Sequence, residues 1–490
     1  MLLAAKAARA HDSGRRGPMH IRKILIENIR CFDRVELDLT RPDGSLAGWT
    51  VLAGRNGTGK STLLKAIALA VAGPEVARSL QKSFVDWVRT SQRKAQITTE
   101  LECSVGDWIG DDEAWREERT HFWTGLSWET SSGDGEPFLW TPQDVVLLVP
   151  SLSEYPPDPH QYRGPWHNNP SGWFIAAYGP LRRLGFRDDY KQPGPQMQAG
   201  LASLFDEDVT LAESIHWLKD IHAIRLDLQD RASRTSEAEA KTLLDDARKH
   251  ALVYENVLSL LNDGLLPPGS SVVSLDMQRG LLVKQDGVTL ALRSLSDGYR
   301  AALALVFDIV RQMYRCFGER LEISRREVDG KHVVQVEHQG IVLIDEVDAH
   351  LHVSWQQRIG FWLKEHFPNV QFIVTTHSPF VCQAADPKGL IRLPTPGSGE
   401  RVEHVSDDLY NTAVYGDVDD AVMTALFGLE RAHSDHAEAL RSRVAKLQAK
   451  MMRGHATPDE KEEMYRLSAR LPKTGSALVQ QTLRKLGDPG

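Results

Sequence analysis

A glycine-rich loop between an apolar strand and a helix limits most strongly what this chain can fold into. The apolar run 49–53 precedes the loop, and the pattern of 62–71 predicts a helix after it. The loop consists of Gly54, Arg55, Asn56, Gly57, Thr58, Gly59, Lys60, Ser61 and Thr62. It has the form G-x-x-x-x-G-K-[ST] (Walker A), in which glycines let backbone N–H groups converge on phosphates at a helix N-terminus. A chance glycine-rich turn is the alternative, and the strand–loop–helix context disfavours it. Lys60 is expected to reach the β- and γ-phosphates of ATP, and the Ser61 hydroxyl is expected to bind Mg²⁺.

Hydrophobic periodicity beyond the loop predicts alternating strands and helices. Alternation over 21–40 indicates a β-hairpin-like start, and the apolar runs 341–344 and 371–375 indicate strands buried on both faces. Long helices are expected at 296–316 and 353–366. Strands alternating with helices imply a mainly parallel sheet that is covered by helices.

Two further regions are predicted to be helical. Residues 207–263 indicate a helix pair at about 211–232 and 236–262, which is too short for a long coiled-coil arm. Residues 404–490 are charged and low in strand formers, so we expect a helical region for oligomerisation or partner docking. The expected organisation is a disordered extension at 1–18, an α/β unit that contains the phosphate loop at 19–205 and 265–403, a helical hairpin insertion at 206–264, and the C-terminal region at 404–490.

Bulk properties exclude several classes of protein. The 490-residue chain carries a net charge of −8 with a pI near 6.1, so no global basic field attracts it to nucleic acid or anionic membrane. Its four cysteines form no CxxC pair, which disfavours a zinc site and suits a reducing cytoplasm. No apolar run approaches the roughly 20 residues that span a bilayer. We therefore expect a cytoplasmic protein without a membrane partner.

Two acidic residues follow the buried strand at 341–344. Asp345 is expected to hold Mg²⁺ through water, and Glu346, one residue further, is assigned as the general base that activates the attacking water. Acidic residues often end strands, so the signal is weak in isolation. Its position downstream of the phosphate loop favours a Walker B motif.

Two further motifs lie at the ends of predicted elements. His377 follows the second buried strand, where it is predicted to contact the γ-phosphate; a surface histidine before a turn is the alternative. Ser296, Asp297 and Gly298 open the helix at 296–316, either as an anion site or as an ordinary N-cap. Because the loop at 54–62 is already a complete cradle, a second anion-binding helix end makes sense if it serves the ATP of another copy.

In order, the motifs G-x-N-G-x-G-K-S-T, L-S-D-G, apolar-D-E and T-H-S resemble the ABC ATPase head of SMC, RecF and OLD-type proteins. The resemblance spans about residues 21–393. It implies an α/β fold of the ABC-type P-loop ATPase class, with a mainly parallel sheet flanked by helices and an antiparallel β subdomain. In this family two heads sandwich two ATP molecules, each bound by one P-loop and the opposite signature helix.

The resemblance also implies roles for individual residues. Lys60, Glu346 and His377 would be catalytic, and Ser296, Asp297 and Gly298 would act in trans. Asp348 falls in the loop through which the family's heads contact each other, and Arg30 matches a position that often touches nucleotide phosphates. No Q-loop glutamine is obvious, and the segment 178–182 is the candidate for the role that the Q-loop has in this family.

Three segments carry a more specific resemblance. The sequences A-Y-G-P-L-R-R at 177–183 and D-E-V-D-A-H-L-H at 345–352, and the stretch 419–430, resemble the PtuA-type AAA-family ATPases of Septu and retron anti-phage defence systems. This implies a homodimer of heads within a larger homo-oligomer, which regulates an HNH-type (PtuB-like) nuclease and meets nucleic acid through that complex.

Two alternatives to this function remain open. One is a RecF-like DNA-repair ATPase that binds DNA directly, and the other, which the insertions and the L-S-D-G motif disfavour, is a transporter motor. The acidic residues at 417–420 could suggest a Toprim nuclease centre, but they are better explained as the start of a helix. No nuclease activity of the chain itself is therefore expected.

Overall fold

The computed structural model describes residues 20–41, 43–46, 48–102, 121–129, 138–139, 174–182, 196–209, 211, 213–422, 424, 426–427 and 434–471. The predicted extension at 1–18 lies outside the described residues. Tertiary contacts divide the chain into two compact units, Met1–Gly428 and Leu429–Gly490. Within the described residues, no helix is both long and apolar enough to cross a membrane.

The first unit alternates strands and helices along the chain. Its strands are β1 (His20–Ile29), β2 (Phe32–Asp38), β3 (Trp49–Ala53), β4 (Lys94–Glu102), β5 (His121–Glu129), β6 (Phe138–Leu139), β7 (Ile175–Tyr178), β8 (Ser270–Asp276), β9 (Gly280–Gln285), β10 (Val288–Ala291), β11 (Ile323–Val328), β12 (Lys331–Val336), β13 (Gly340–Ile344), β14 (Val370–Thr376), β15 (Leu390–Arg392) and β16 (Glu403–His404). Its helices are α1 (Lys60–Ala72), α2 (Pro74–Leu80), α3 (Gln196–Phe205), α4 (Glu213–Ala232), α5 (Glu237–Asn262), α6 (Asp297–Phe317), α7 (Val353–Gln356), α8 (Ile359–His366), α9 (Pro379–Cys382), α10 (Asp407–Tyr415) and α11 (Val418–Val422).

The main sheet is parallel except at one edge. Its order is β16-β15-β3-β14-β13-β7, and β16 is antiparallel to β15. Thr376 lies opposite Ala53, and Ile344 lies opposite Tyr178. Because these neighbours are parallel, the carboxyl ends of β3, β14, β13 and β7 meet at one edge of the sheet. The mainly parallel α/β sheet predicted from the sequence is confirmed.

Alternate side chains of the main sheet enter two separate cores. Leu52, Leu343 and Ile373 pack with α1 and the antiparallel sheet. Val51 and Val374, one residue away on the same strands, pack with α6 and α8 on the opposite face. Burial of both faces explains why these strands are continuous apolar runs in the sequence.

A five-stranded antiparallel sheet, of order β2-β1-β4-β5-β6, forms the second layer. The tight β1–β2 connection pairs Ile29 with Phe32, so the hairpin-like start predicted from alternation is confirmed. The Thr124 hydroxyl donates a hydrogen bond to the carbonyl of Ala70 at 3.0 Å, which ties β5 to α1. This sheet and the main sheet thereby hold the phosphate-loop helix between them.

The first part of the C-terminal region packs with the first unit. We expected the helical region to begin at 404, but Val405, Ala413 and Leu426 are buried in the core of the first unit. The described residues of segments 405–415 and 418–427 therefore contribute to the core of the first unit, and the domain boundary expected at 404 stays a prediction. The described part of the second unit is a pair of helices, α12 (Asp435–Met452) and α13 (Pro458–Ser468), and ion pairs join Arg443 to Glu463 and Lys450 to Glu460.

A buried carboxylate on α6 connects three elements of the first unit. Asp308, which is 3% exposed, accepts hydrogen bonds from the hydroxyls of Tyr178 on β7 and Ser214 on α4, each at 3.0 Å. Arg311 pairs with the same carboxylate at 2.9 Å. A buried charge is tolerated when it is paired and hydrogen-bonded in this way. The network fixes α6 relative to β7 and α4.

We predict that Asp308→Ala lowers the free energy of unfolding by about 3–5 kcal/mol, because it removes one partner from a buried ion pair and two hydroxyl hydrogen bonds. Urea unfolding followed by circular dichroism measures the effect. Asp245→Ala is the matched control, since its ion pair with Arg248 is exposed on α5 and is worth about 1 kcal/mol at most. A loss below about 1 kcal/mol in Asp308→Ala would contradict the structural role of the network.

Candidate functional site

The phosphate loop leaves β3 at Ala53 and enters α1 at Lys60. Gly57 and Gly59 have φ angles of 80° and 91°, which side chains with a Cβ rarely adopt. At Gly54 a Cβ would lie 2.6 Å from the carbonyl oxygen of Leu393, so the tight packing below the loop also requires glycine. The first turn of α1 holds no acidic residue, which leaves its N-terminal N–H groups suited to an anion.

The Lys60 ammonium lies inside this loop. It donates hydrogen bonds to the carbonyls of Gly54 at 2.9 Å and Arg55 at 3.0 Å. Burial lowers the pKa of Lys60, whereas the carboxylates of Asp345 and Glu346 oppose that change. The folded chain therefore places the Walker A cation and the Walker B acids in one electrostatic cluster.

Asp345 and Glu346 follow β13 directly and are held by the neighbouring strand. The Thr375 hydroxyl donates to Oδ1 of Asp345 at 2.5 Å and accepts from the backbone N–H of Glu346 at 2.7 Å. One hydroxyl thus orients the carboxylate and the residue after it. Glu346 has a φ of 44°, an unusual value for a residue with a side chain. Such strain persists where surrounding contacts fix the backbone, and it is common at functional sites.

His377 and Asp348 lie beside the same acids. Asp348 accepts hydrogen bonds from the Thr376 hydroxyl and from the backbone N–H of His377. Burial, followed by the nearby Lys60 ammonium, lowers the pKa of His377, and the three carboxylates of the loop oppose the shift. The imidazole is therefore neutral at pH 7 and can donate one hydrogen bond.

Arg182 is the residue of this site whose role the sequence did not show. The side chain is only 4% exposed, and its guanidinium lies under the loop after β13. It donates hydrogen bonds of 3.0–3.3 Å to the backbone carbonyls of Gly179, Asp345, Glu346, Val347 and Ala349. Burial lowers the pKa of Arg182 to about 10, so it stays protonated at neutral pH.

The signature residues lie at the start of α6. Ser296 is the N-cap, but its exposed side chain makes no capping hydrogen bond within this described helix. Asp297 is exposed and pairs with Arg300. At Gly298 a Cβ would lie 2.9 Å from the carbonyl oxygen of His350, so glycine allows the helix start to approach the loop that follows Glu346.

Arg30 lies beside the phosphate-loop helix. Its guanidinium is 4.7 Å from the ring centroid of Trp87, and it donates to the Thr62 hydroxyl at 3.5 Å. The side chain is exposed and cationic, and its backbone has a φ of 48°. Its location agrees with the proposed contact to nucleotide phosphates, which stays a prediction.

The structure thus brings together Lys60, Asp345, Glu346, Asp348 and His377, with Arg30 and Ser61 on the flank of the same loop. It does not bring Ser296 into this cluster: the described contacts of that helix end involve the backbone at 350–352. Two contributors were missed in the sequence, the Thr375 hydroxyl and the Arg182 guanidinium. The first could have been found from the T-T-H-S motif, because a hydroxyl at a strand end can reach a neighbouring strand. Nothing in the sequence pairs the second with residues more than 160 positions away.

Two family models match the chain. Residues 153–383 match the family described as "AAA domain, putative AbiEii toxin, Type IV TA system", and residues 23–112 match "AAA domain". Both segments contain site residues that the fold brings together, since the first includes the Walker B end and His377 and the second includes the phosphate loop.

Curated relatives agree with these matches. The chain is 37% identical to "Retron Ec83 probable ATPase" of Escherichia coli over 155 residues, which cover 31% of this chain and 26% of that protein. It is 24% identical to "Retron Vc95 probable ATPase" of Vibrio cholerae serotype O1 biovar El Tor over 401 residues, 73% of this chain and 71% of that protein. It is 26% identical to "Septu protein PtuA" of Bacillus mycoides (strain KBAB4) over 360 residues, 73% of this chain. The match spans only 38% of that PtuA and about a quarter of the Escherichia coli protein.

Among solved structures, the SMC head domain from Thermotoga maritima aligns with 76% of this chain and 94% of its own length, at 15% identity and a TM-score of 0.38. The strand order of the main sheet and the three motifs at its edge, the phosphate loop, Asp345-Glu346 and the T-H-S sequence, define the fold independently of this alignment. Together with the matched AAA-domain models, these features make the chain similar to ABC/SMC-like AAA-family ATPases, including those of retron and Septu defence systems.

Proposed function

We propose that this protein binds and hydrolyses ATP with Mg²⁺ at the edge where β3, β13 and β14 end. The observation that carries the proposal is the cluster of Lys60, Asp345, Glu346 and His377 around one glycine-rich loop. Lys60 and the N–H groups of the loop bind the phosphates, and Glu346 takes a proton from the attacking water. His377 donates a hydrogen bond to the γ-phosphate in this arrangement.

The oxygen donors present suit Mg²⁺, which prefers carboxylate and hydroxyl ligands together with water and phosphate. Asp345 would hold the ion through water, and Ser61, in the first turn of α1, would supply its hydroxyl. The hydrogen bond from Thr375 to Oδ1 of Asp345 fixes the orientation of that carboxylate. The ion would neutralise charge that develops on the phosphates.

We further propose that hydrolysis requires two heads. The support is local: the Ser296 hydroxyl and the start of α6 are exposed, while the chain's own phosphate loop is complete without them. In a two-headed arrangement, Ser296, Asp297 and Gly298 would contact the γ-phosphate bound by the other copy. The loop that carries Asp348 would then lie at the contact between copies.

The biological role proposed here is control of a partner nuclease in anti-phage defence, in the cytoplasm. Similarity to the retron ATPase of Vibrio cholerae and to PtuA supports the defence context. The partner would be an HNH-type, PtuB-like nuclease. The C-terminal unit is a candidate docking surface, since Met452 and Tyr465 are 79% and 64% exposed on its helix pair. A larger homo-oligomer of head dimers would carry this partner.

A RecF-like ATPase that binds DNA directly is the second candidate function. The shared order of head motifs favours it. The net charge of −8 disfavours it, because duplex DNA is bound largely through Lys and Arg contacts to phosphates. The two candidates differ in whether the chain alone has a salt-dependent affinity for DNA.

Replacing Glu346 by Gln should preserve nucleotide binding and slow hydrolysis by about 10²–10⁴-fold, because the amide cannot accept the proton of the attacking water. Phosphate release measures turnover, a fluorescent ATP analogue measures affinity, and light scattering detects the trapped head dimer. Glu365→Gln on the exposed side of α8 is the matched control. Undiminished turnover in Glu346→Gln would remove Glu346 from the catalytic role.

A mixing experiment tests the two-headed site. Lys60→Ala and Ser296→Arg variants should each be inactive alone. An equal mixture should recover about a quarter of wild-type turnover, since random pairing makes half of the dimers mixed and each mixed dimer has one intact site. Turnover that remains at the level of the single variants would contradict the trans arrangement.

Co-expression with the product of the neighbouring gene tests the partner. We expect the two proteins to co-purify through a tag on this chain, and we expect nuclease activity of the complex to change when ATP is added or Lys60 is replaced by Ala. The chain alone should show no nuclease activity. Tight, salt-dependent binding of duplex DNA by the chain alone, without a co-purifying protein, would support the DNA-repair alternative instead.

A further inference from the structure

The loop between β13 and α7 contains two residues in strained backbone conformations. Glu346 and His350 have φ angles of 44° and 64°. Internal turns, from Ala349 N–H to Glu346 and from Leu351 N–H to Asp348, shape the loop between them. Residues with a side chain are disfavoured at positive φ, so other contacts must hold the loop in place.

Residues 375–377 hold this loop from the neighbouring strand, and Arg182 holds its backbone carbonyls. One nitrogen of its guanidinium bonds to the carbonyls of Gly179 and Asp345, at 3.1 and 3.0 Å. The other terminal nitrogen bonds to the carbonyls of Glu346, Val347 and Ala349, at 3.0–3.3 Å. A planar guanidinium has five N–H donors in fixed directions, so it can bond to several separated carbonyls at the same time. An ammonium has only three donors, all on one nitrogen.

The burial of this cation needs an electrostatic explanation. Taking a guanidinium out of water is costly unless charges and acceptors replace the lost hydration. The five acceptors described above are backbone carbonyls, while the carboxylates of Asp348, Asp345 and Glu346 act on Arg182 electrostatically and raise its pKa against the effect of burial. The acidic loop therefore offsets part of the cost of burying this cation.

We propose that Arg182 is the positioning residue of the catalytic loop. It holds the carbonyls on either side of Glu346 and thereby fixes the direction of the Glu346 carboxylate toward the attacking water. Because the guanidinium is buried and bonded to these carbonyls, the proposed role is exerted through the loop and requires no contact with nucleotide or Mg²⁺. This inference rests on the proposed function of Glu346 as the general base.

Arg182→Lys tests the inference. The lysine keeps the positive charge, but its single ammonium group cannot bond to all five carbonyls that the two terminal nitrogens of Arg182 contact. We expect kcat to fall by about 10- to 100-fold, since small misplacement of a catalytic group has effects of that size, while affinity for a fluorescent ATP analogue changes by less than about threefold. A kcat within about twofold of wild type would overturn the proposal.

Arg41→Lys is the matched control. Arg41 is also partly buried and pairs with Asp386 at 2.7 Å, and Asp386 accepts from Trp49 N–H at the opposite end of β3 from the phosphate loop. Its replacement should change the melting temperature and leave kcat unchanged. A similar fall in kcat for both variants would show that Arg182 acts on general stability, and it would overturn the positioning role.

A double variant separates positioning from an independent contribution. If Arg182 acts through Glu346, single-turnover hydrolysis by Arg182→Lys/Glu346→Gln should equal that of Glu346→Gln alone. If the double variant were slower than Glu346→Gln by the same factor that separates Arg182→Lys from wild type, the two residues would act independently. That result would overturn the inference. Should Arg182→Lys not fold, Arg182→Gln, whose amide retains two N–H donors, enters the same comparison.

Wild type and Glu346→Gln distinguish this inference from the function on which it rests. If wild type hydrolyses no ATP, or if Glu346→Gln turns over at the wild-type rate, the proposed function fails and the role of Arg182 fails with it. If wild type is active, Glu346→Gln is slow and Arg182→Lys is unaffected, the inference about Arg182 alone is wrong.

Discussion

Parallel pairing of β3, β14, β13 and β7 is the constraint on which the site depends. Ala53 pairs with Thr376, and Ile344 pairs with Tyr178, so the four strands end at one edge of the sheet. The residues that follow each strand therefore lie close together. Because both faces of this sheet are buried, a slip of one residue in register would exchange the two apolar faces and is strongly disfavoured. The same packing that stabilises the core therefore sets the distance between the phosphate loop and the acids.

Charge balance is the second requirement at this edge. Three carboxylates, of Asp345, Glu346 and Asp348, lie between two buried cations, Lys60 in front of the loop and Arg182 behind it. Burial opposes the charge of each cation, and the carboxylates compensate for it. The two cations differ in their described partners, however, because Lys60 bonds to carbonyls of the loop that would receive phosphate, whereas both terminal nitrogens of Arg182 bond to carbonyls of Gly179 and the loop after β13.

Local patterns predicted most of the fold and about half of what builds the site. The strand–loop–helix at 49–72, the runs at 341–344 and 371–375, and the helices at 213–232, 237–262 and 297–317 follow from periodicity and glycine chemistry. The helix expected over 353–366 is instead two pieces, Val353–Gln356 and Ile359–His366. Near the break the Arg358 guanidinium donates to the carbonyl of Gly264 at 3.1 Å, and Gly360 packs closely against Trp49. Those contacts, like the Arg182 clamp, join residues far apart in sequence. Periodicity carries no information about such pairs.

Helix α6 relates the exposed signature end to the rest of the head. Near its start, Gly298 allows backbone contact with His350, whose loop also contains Glu346. Three turns later, Asp308 bonds Tyr178 at the end of β7 and Ser214 on α4. The backbone carbonyl of Tyr178 in turn accepts a hydrogen bond from the backbone N–H of Asp345 at 2.8 Å. If the proposed second head displaced α6, the movement would therefore act on the loop that carries Glu346 at the helix start and on the helical insertion at the middle of the helix. Packed interiors transmit such displacements because they are dense and only slightly compressible.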